Sequence, residues 1–239
     1  MSATQLNDLT QILKSNSYPG RGIVVGKSHS GNFGVIAYFI MGRSVNSRNR
    51  VFKKSEEGIV INAYDPNKLT DPSLIIYSPV KKFNGQLIVT NGDQTDTVYD
   101  FLSKGETFIK ALSTRCFEPD FPNFTPRISC ICDENNEFNY ALSILKSADE
   151  KGSACNRFTF EYAAVNGEGH FISTYNGDGN PLPSFTGEPI KVTVDEIDIN
   201  TFANKIWQSL NADNKVSLYV RYTNLLTKKF DEVIINKNK

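Results

Sequence analysis

Short runs of β-branched and aromatic residues, each closed off by glycine, asparagine or proline, constrain this chain most. Gly20 to Val25 is the first such run. Val35 to Met41 returns after Ser28 to Gly34, a stretch with the glycines and asparagine of a hairpin turn. Ile59 to Asn62, Leu74 to Ser78 and Leu87 to Thr90 continue the series. Arg127 to Cys132, Tyr140 to Leu145, Phe158 to Val165, His170 to Tyr175 and Val216 to Tyr222 extend it. Helical spacing interrupts the strands in groups. Ser2 to Ser15 puts Leu6, Leu9, Ile12 and Leu13 on one face. Val98 to Leu112 is helical with a break at Gly105 and Thr95 or Asp96 as cap. Asn200 to Leu210 carries Phe202, Ile206 and Leu210 on one stripe, with Asn200 or Thr201 as cap. Strands grouped apart from helices predict an α+β fold. Two sheets stacked face to face and covered by helices, a four-layer α-β-β-α sandwich, accommodate this pattern.

A chain of 239 residues, 39% hydrophobic, can bury one large core, so a single domain over 1–239 is expected. Basic and acidic residues both total 26, which removes any general electrostatic case for nucleic acid or an anionic membrane. The N-terminal segment MSATQLNDLTQILKSN is polar, and no run approaches the ~18 apolar residues of a membrane span. A cytoplasmic protein is expected. Cys116, Cys130, Cys132 and Cys155 match no paired zinc spacing, and His29 and His170 are the only histidines. The cysteines read as reduced small hydrophobes, with Cys130 and Cys132 on one side of a strand, and no metal is expected. There is no GxSxG elbow, HExxH pair or P-loop lysine. Gly20, Gly22 and Gly26 lead to a hairpin and not to a helix, so they form no dinucleotide fingerprint.

Three segments carry chemistry. Gly42 to Arg50 places Arg43, Arg48 and Arg50 among serines and asparagines just after an apolar strand. Guanidinium forks match phosphate oxygens, and Ser44 and its neighbours add neutral donors. The competing reading is a solvated loop. In Thr125-Pro126-Arg127, proline restricts the backbone and delivers an arginine directly into a strand. An inward strand arginine needs a partner, either an anion or one of Glu118, Asp120 and Glu161. Thr90 to Thr97 runs from a strand into a helix and offers hydroxyls, amides and free N–H groups to an anion or polar heterocycle. A simple capping loop would look similar.

Four motifs, in order, resemble those of the archaeal-type IMP cyclohydrolases: YPGRGIVVG, an R-S…R segment, NG-x-x-TDT and TPRI. A weaker likeness continues through GEGHFISTY. The resemblance implies a sandwich like that of the N-terminal-nucleophile hydrolases, without their self-cleavage. It implies closure of 5-formamidoimidazole-4-carboxamide ribonucleotide to IMP and water, with a purine nucleotide as small-molecule partner and no cofactor. A homo-oligomer is a family-level expectation. Arg21, Arg43, Arg48, Asn91, Gly92, Thr95, Thr125 and Arg127 fall on family positions, and Tyr77 on that of a family tyrosine. On these positions Arg43 and Arg48, with Ser44 beside them, are expected to grip the 5′-phosphate. Arg21 or Arg127 would polarise the formyl or carboxamide oxygen. Tyr77 would donate to the departing hydroxide and Asp120 orient the amide. Asn91 and Thr95 would read base or ribose, with Gly92 and Thr125 lining the substrate. The arginine segment is extended around Val45 to Asn49, and Pro122 separates Asp120 from TPRI, so the identity of the catalytic carboxylate stays open. Two other functions compete: a non-catalytic nucleotide-binding module on the same fold, and an amide hydrolase with a processed N-terminal nucleophile.

Overall fold

The computed structural model describes residues 6–72, 74–135, 137–195 and 198–238. In chain order the first half contains α1 (Leu9–Ser15), β1 (Arg21–Lys27), β2 (Phe33–Met41), α2 (Val45–Arg48), β3 (Arg50–Lys54), β4 (Gly58–Ala63), β5 (Val80–Phe83), β6 (Gln86–Thr90), α3 (Gln94–Ser103) and α4 (Phe108–Ser113). The second half contains β7 (Arg127–Asp133), β8 (Tyr140–Ser147), β9 (Cys155–Tyr162), β10 (Glu168–Ser173), β11 (Ile190–Thr193), α5 (Ile199–Ser209), β12 (Lys215–Asn224) and β13 (Phe230–Asn236). The fold is α+β with two antiparallel sheets. One has the order β11-β10-β1-β2-β12-β13, the other β3-β4-β5-β6-β7-β8-β9. No helix among the described residues is long and apolar enough to cross a membrane.

The period-2 alternation of the strands sorts the core into layers. Ile23, Val25, Ile36 and Ile40 of the first sheet share a core with Ile61, Leu87, Ile128 and Leu142 of the second. The residues between them point the other way. Val24, Ala37 and Phe39 pack with Leu13 of α1 and Phe202 and Ile206 of α5. On the far side of the second sheet, Ile88, Ala141 and Leu145 pack with Val98 of α3 and Phe108 and Leu112 of α4.

Several elements depart from the sequence reading. The first helix covers Leu9–Ser15, and residues 2–5 of the expected span lie outside the described residues. Leu74 to Ser78 is not a strand: prolines bracket it, and Ile75 and Ile76 turn back to donate to Pro72 O. Asp93 and Asp198 occupy the N-caps expected further along, and the Asp198 carboxylate accepts from the N–H groups of Asn200 and Thr201, both at 3.0 Å. The edge strands β3, β11 and β13 and the short, half-exposed β5 were hidden by lysines and polar residues, because half-exposed strands need few apolar positions.

Candidate active site

Arg21, Arg50 and Arg127 are each the first residue of a strand, in β1, β3 and β7. That shared position brings them to one end of the sandwich. Arg21 follows Gly20, whose φ of +76° is open to glycine, and a Cβ there would meet Thr174 Oγ1 at 2.3 Å. Arg21 keeps the inward parity of Ile23 and Val25. Arg50 keeps that of Phe52. Its Nε donates to Ser47 O at 2.7 Å and its Nη2 to Met41 O at 3.1 Å, and the residue is fully buried. Arg127 is buried, as expected of a strand arginine, but it has the opposite parity to Ile128 and so sits on the helix-covered face of its sheet. It lies under the start of α3, where Nη1 reaches Gln94 Oε1 and Asp93 Oδ1, both at 2.7 Å. Gly92 makes this possible. A Cβ on it would lie 2.4 Å from Arg127 Nη1 and 3.4 Å from Glu118 Oε1.

Glu118 completes the cluster. It lies in the loop between α4 and β7, and its N–H donates to Thr125 O at 2.9 Å. Its carboxyl group is 2% exposed and 3.9 Å from Arg21 Nη2. Burial pushes its pKa up to about 7, against the opposing pull of Arg21 and Arg127. Burial wins because neither arginine forms a close ion pair with it. At Arg21 burial is the largest influence and pulls the pKa down, but Glu118 together with Tyr77, Tyr175 and Tyr18 more than offsets it and holds that guanidinium charged. Burial and the like charge of Arg21 lower the pKa of Arg50.

Four buried polar atoms in this cluster have no hydrogen-bond partner: Arg21 Nε, Arg50 Nη1, Arg127 Nε and Glu118 Oε1. Each such atom costs on the order of 1–3 kcal/mol. Concentrated in one place, they make this cluster the candidate site for a polar ligand. Two buried hydroxyl pairs flank it: Tyr38 and Tyr77 oxygens lie 2.9 Å apart, and Thr125 Oγ1 and the Tyr175 oxygen 2.6 Å apart.

The other expected site residues divide. Tyr77 belongs to the inter-sheet core, within electrostatic reach of Arg21 and Arg50. Asp120 accepts from the Thr125 N–H at 2.6 Å and from its hydroxyl, so it shapes the turn that launches Arg127. Asn91 is engaged at both ends: Nδ2 donates to Pro126 O, and Oδ1 accepts from Ile128 N, both at 2.8 Å. Thr95 is buried against Thr90 Oγ1 at 2.7 Å. Arg43 lies at the rim, where Nη1 donates to Asp178 Oδ1 at 2.6 Å and Gly179 O at 2.9 Å, and its guanidinium covers the Tyr18 ring. Arg48 turns aside to Gly42 O and Asn214 Oδ1, and Ser44 caps α2 by accepting from Ser47 N.

The sequence offered Glu118 only as one possible salt-bridge partner of Arg127, Arg50 only as one arginine of the phosphate loop and Gln94 only as one amide of the β6–α3 turn, and it gave Tyr38 no role in the site. For Arg50 a signal existed, since its spacing from Phe52 puts both on one strand face. For Glu118, in an irregular loop, no periodicity announces burial.

The description IMP cyclohydrolase-like protein fits residues 18–229 of this chain. Among relatives, the chain is 28% identical over 186 residues to the IMP cyclohydrolase of Methanocaldococcus jannaschii, covering 75% of this chain and 85% of that protein. It is 32% identical over 126 residues to the IMP cyclohydrolase of Methanococcus maripaludis, and 28% over 124 to that of Methanococcus aeolicus. Each of these two matches covers 51% of this chain and spans 61% of the relative's length. The matched region contains all four ordered motifs, including those that carry Arg21 and Arg127 to Glu118, and the chain belongs to the IMP cyclohydrolase-like protein family.

Proposed function

We propose that this protein closes the second ring of a purine nucleotide, converting 5-formamidoimidazole-4-carboxamide ribonucleotide to IMP and water. Supporting this are the family match and the buried cluster of Arg21, Arg50, Arg127 and Glu118 with its unpartnered atoms. In this reading the chain acts as one catalytic domain in the cytoplasm, on a sandwich resembling that of N-terminal-nucleophile hydrolases.

The carboxamide nitrogen adds to the formyl carbon. The formyl oxygen then leaves as water, with one hydrogen from the carboxamide nitrogen and one from the formamido nitrogen. Negative charge develops on the formyl oxygen during addition. Arg21 and Arg50 are like charges in a buried space, and an oxyanion beside both relieves their repulsion. That relief grows as charge develops, which makes it a transition-state effect. Glu118, with a pKa of about 7, takes a proton from the attacking nitrogen and returns it to the departing oxygen at neutral pH. The Tyr38–Tyr77 hydroxyl pair lines the same end and donates to the developing hydroxide. Holding the formyl group against the amide contributes further, up to ~7–11 kcal/mol in the best oriented systems.

In this reading the phosphate grip narrows to one arginine. Arg43, at the rim, takes the 5′-phosphate by exchanging its Asp178 partner for it. Arg48 supports the loop from behind. Asn91 and Thr95 hold the β6–α3 turn against β7, so Gly92 and Gln94 present Arg127 to the base. Incubating the purified protein with the formylated ribonucleotide and following IMP absorbance tests the reading. IMP binding without turnover would reduce the chain to a nucleotide-binding module.

A further inference from the structure

The loop that presents Glu118 also carries Cys116, and that cysteine faces a second one. Cys155 opens β9, the edge strand of its sheet, and packs against the core beneath α4. One guanidinium draws the two segments together. Arg157 donates to Arg115 O through Nη2 at 2.7 Å and Nε at 3.2 Å, and to Cys155 O through Nη1 at 3.2 Å. The carbonyl groups beside and at the two cysteines therefore share one side chain. The Cys155 thiol donates to Asn156 O at 3.6 Å and lies within electrostatic range of the Cys116 thiol and the Phe117 backbone amide, just past the end of α4, whose core Cys155 packs against. Both cysteines are free, Cys116 exposed and Cys155 partly so, whereas Cys130 and Cys132 are sealed in the inter-sheet core.

We propose that Cys116 and Cys155 are a redox-active pair that closes into an intramolecular disulfide and tethers the Glu118 loop to the edge of the sheet. A glutathione-type disulfide is the oxidant. The exposed Cys116 attacks it as thiolate, forming a mixed disulfide and releasing one glutathione thiolate. Cys155 then gives up its proton and attacks Cys116 Sγ, releasing the second. Two protein thiols are oxidised to one disulfide, and the oxidant is reduced to two thiols. The order follows from exposure. Burial and the neighbouring thiol hold the Cys155 pKa above the usual thiol range, so Cys155 resolves and does not initiate.

The tether reaches the site through a short chain of contacts. Arg115, next to Cys116, holds Asp93 Oδ2 at 2.6 Å, while Asp93 Oδ1 holds Arg127 at 2.7 Å. Glu118 is two residues further along the loop. The proposal concerns the thiols themselves and stands independently of the reaction assigned to the site.

Full-length protein is incubated with glutathione disulfide, unfolded under acid, and examined by intact mass and thiol alkylation. The expected result is a mass lower by two hydrogens, two of the four thiols lost, and a peptide joining Cys116 to Cys155 that a dithiol reductant releases. Cys155→Ser is expected to stop at a mixed glutathione adduct on Cys116, and Cys116→Ser to remain unmodified. Amide exchange across residues 115–118 is expected to slow on oxidation, with α5 unchanged as internal control. A wild-type protein that retains four thiols, stops at the mixed adduct, or dimerises through Cys116 overturns the proposal.

Discussion

Two clusters of buried arginines lie at different levels of the sandwich, and they are built on opposite principles. At one, Arg221 of β12 is saturated. Its Nε and Nη2 donate to the two Glu134 carboxylate oxygens, both at 2.8 Å, and Nη1 donates to Glu232 Oε1 at 3.1 Å. Tyr219 adds a hydroxyl to Glu232 at 2.7 Å, Thr223 bonds Glu134, and the Phe230 ring covers the guanidinium. At the other, Arg21, Arg50 and Arg127 share Glu118, and each of the four side chains keeps an unpartnered atom. Arg21 stands opposite Ile40 on β2, and Arg221 opposite Ile36, so the clusters occupy different levels of the same strand. Burial alone does not distinguish them. Completeness of pairing does: a closed network ties β12, β13 and the β7–β8 turn together, while an open one is free to receive a ligand.

The sharpest test of this contrast is Glu118→Gln. It keeps the shape of the open cluster and removes its proton carrier. We predict that kcat falls by ~10²–10⁴-fold, as expected for loss of a general acid–base, with the circular dichroism spectrum unchanged. Retention of most of the turnover would remove Glu118 from the chemistry.

Arg221→Met should do the reverse. Leaving Glu134 buried without its counter-charge, and Glu232 with only its Lys54 pair, is expected to cost about 3–5 kcal/mol in urea denaturation, with turnover per folded molecule preserved. Arg50→Met removes a guanidinium with one unpartnered nitrogen and a like-charged neighbour, and should cost less stability but impair turnover. Equal stability losses in the two variants would erase the distinction between the clusters.

A third prediction concerns pH. The Glu118 pKa is about 7 in the folded protein and 4.5 as an ordinary glutamate. Between these values the folded state binds more protons than the unfolded one, so stability falls as pH rises and levels off above about 7. Subtracting the Glu118→Gln curve from the wild-type curve should reveal that slope, on the order of a few kcal/mol in total. A flat difference curve would mean that Glu118 is ionised throughout.

The smallest expected effect is at the rim. Arg43→Ala should raise KM about tenfold, the value of one charge-assisted contact, and leave kcat nearly unchanged. Arg48→Ala should do less, because its bonds are to its own loop and Asn214. A larger effect at Arg48 in steady-state kinetics would restore it to the phosphate grip.

Much of the fold was legible because strand alternation is a local property. Ile23 and Val25 against Val24, or Cys130 and Cys132 together, declare their faces without reference to the rest of the chain. The candidate site was legible in part for the same reason. Arg21 and the TPRI arginine, Arg127, stand in motifs at the starts of strands, and both reached the buried cluster. Arg127 came to it from the helix-covered face of its sheet, because its place depends on Gly92 and the start of α3. Arg43 and Arg48 looked equivalent in a loop rich in arginine, but only packing separated a rim residue from a support.

Sequence alone thus determined the α+β class, the hairpin at the N-terminal motif and the family, since each rests on short-range pattern or ordered motifs. Tertiary structure decided which acid serves the arginines. Asp120 is nearer the TPRI motif, but its carboxylate is consumed by Thr125, while Glu118 is carried into a desolvated space beside Arg21. Desolvation is set by everything that surrounds a group, so no stretch of sequence around Glu118 records it.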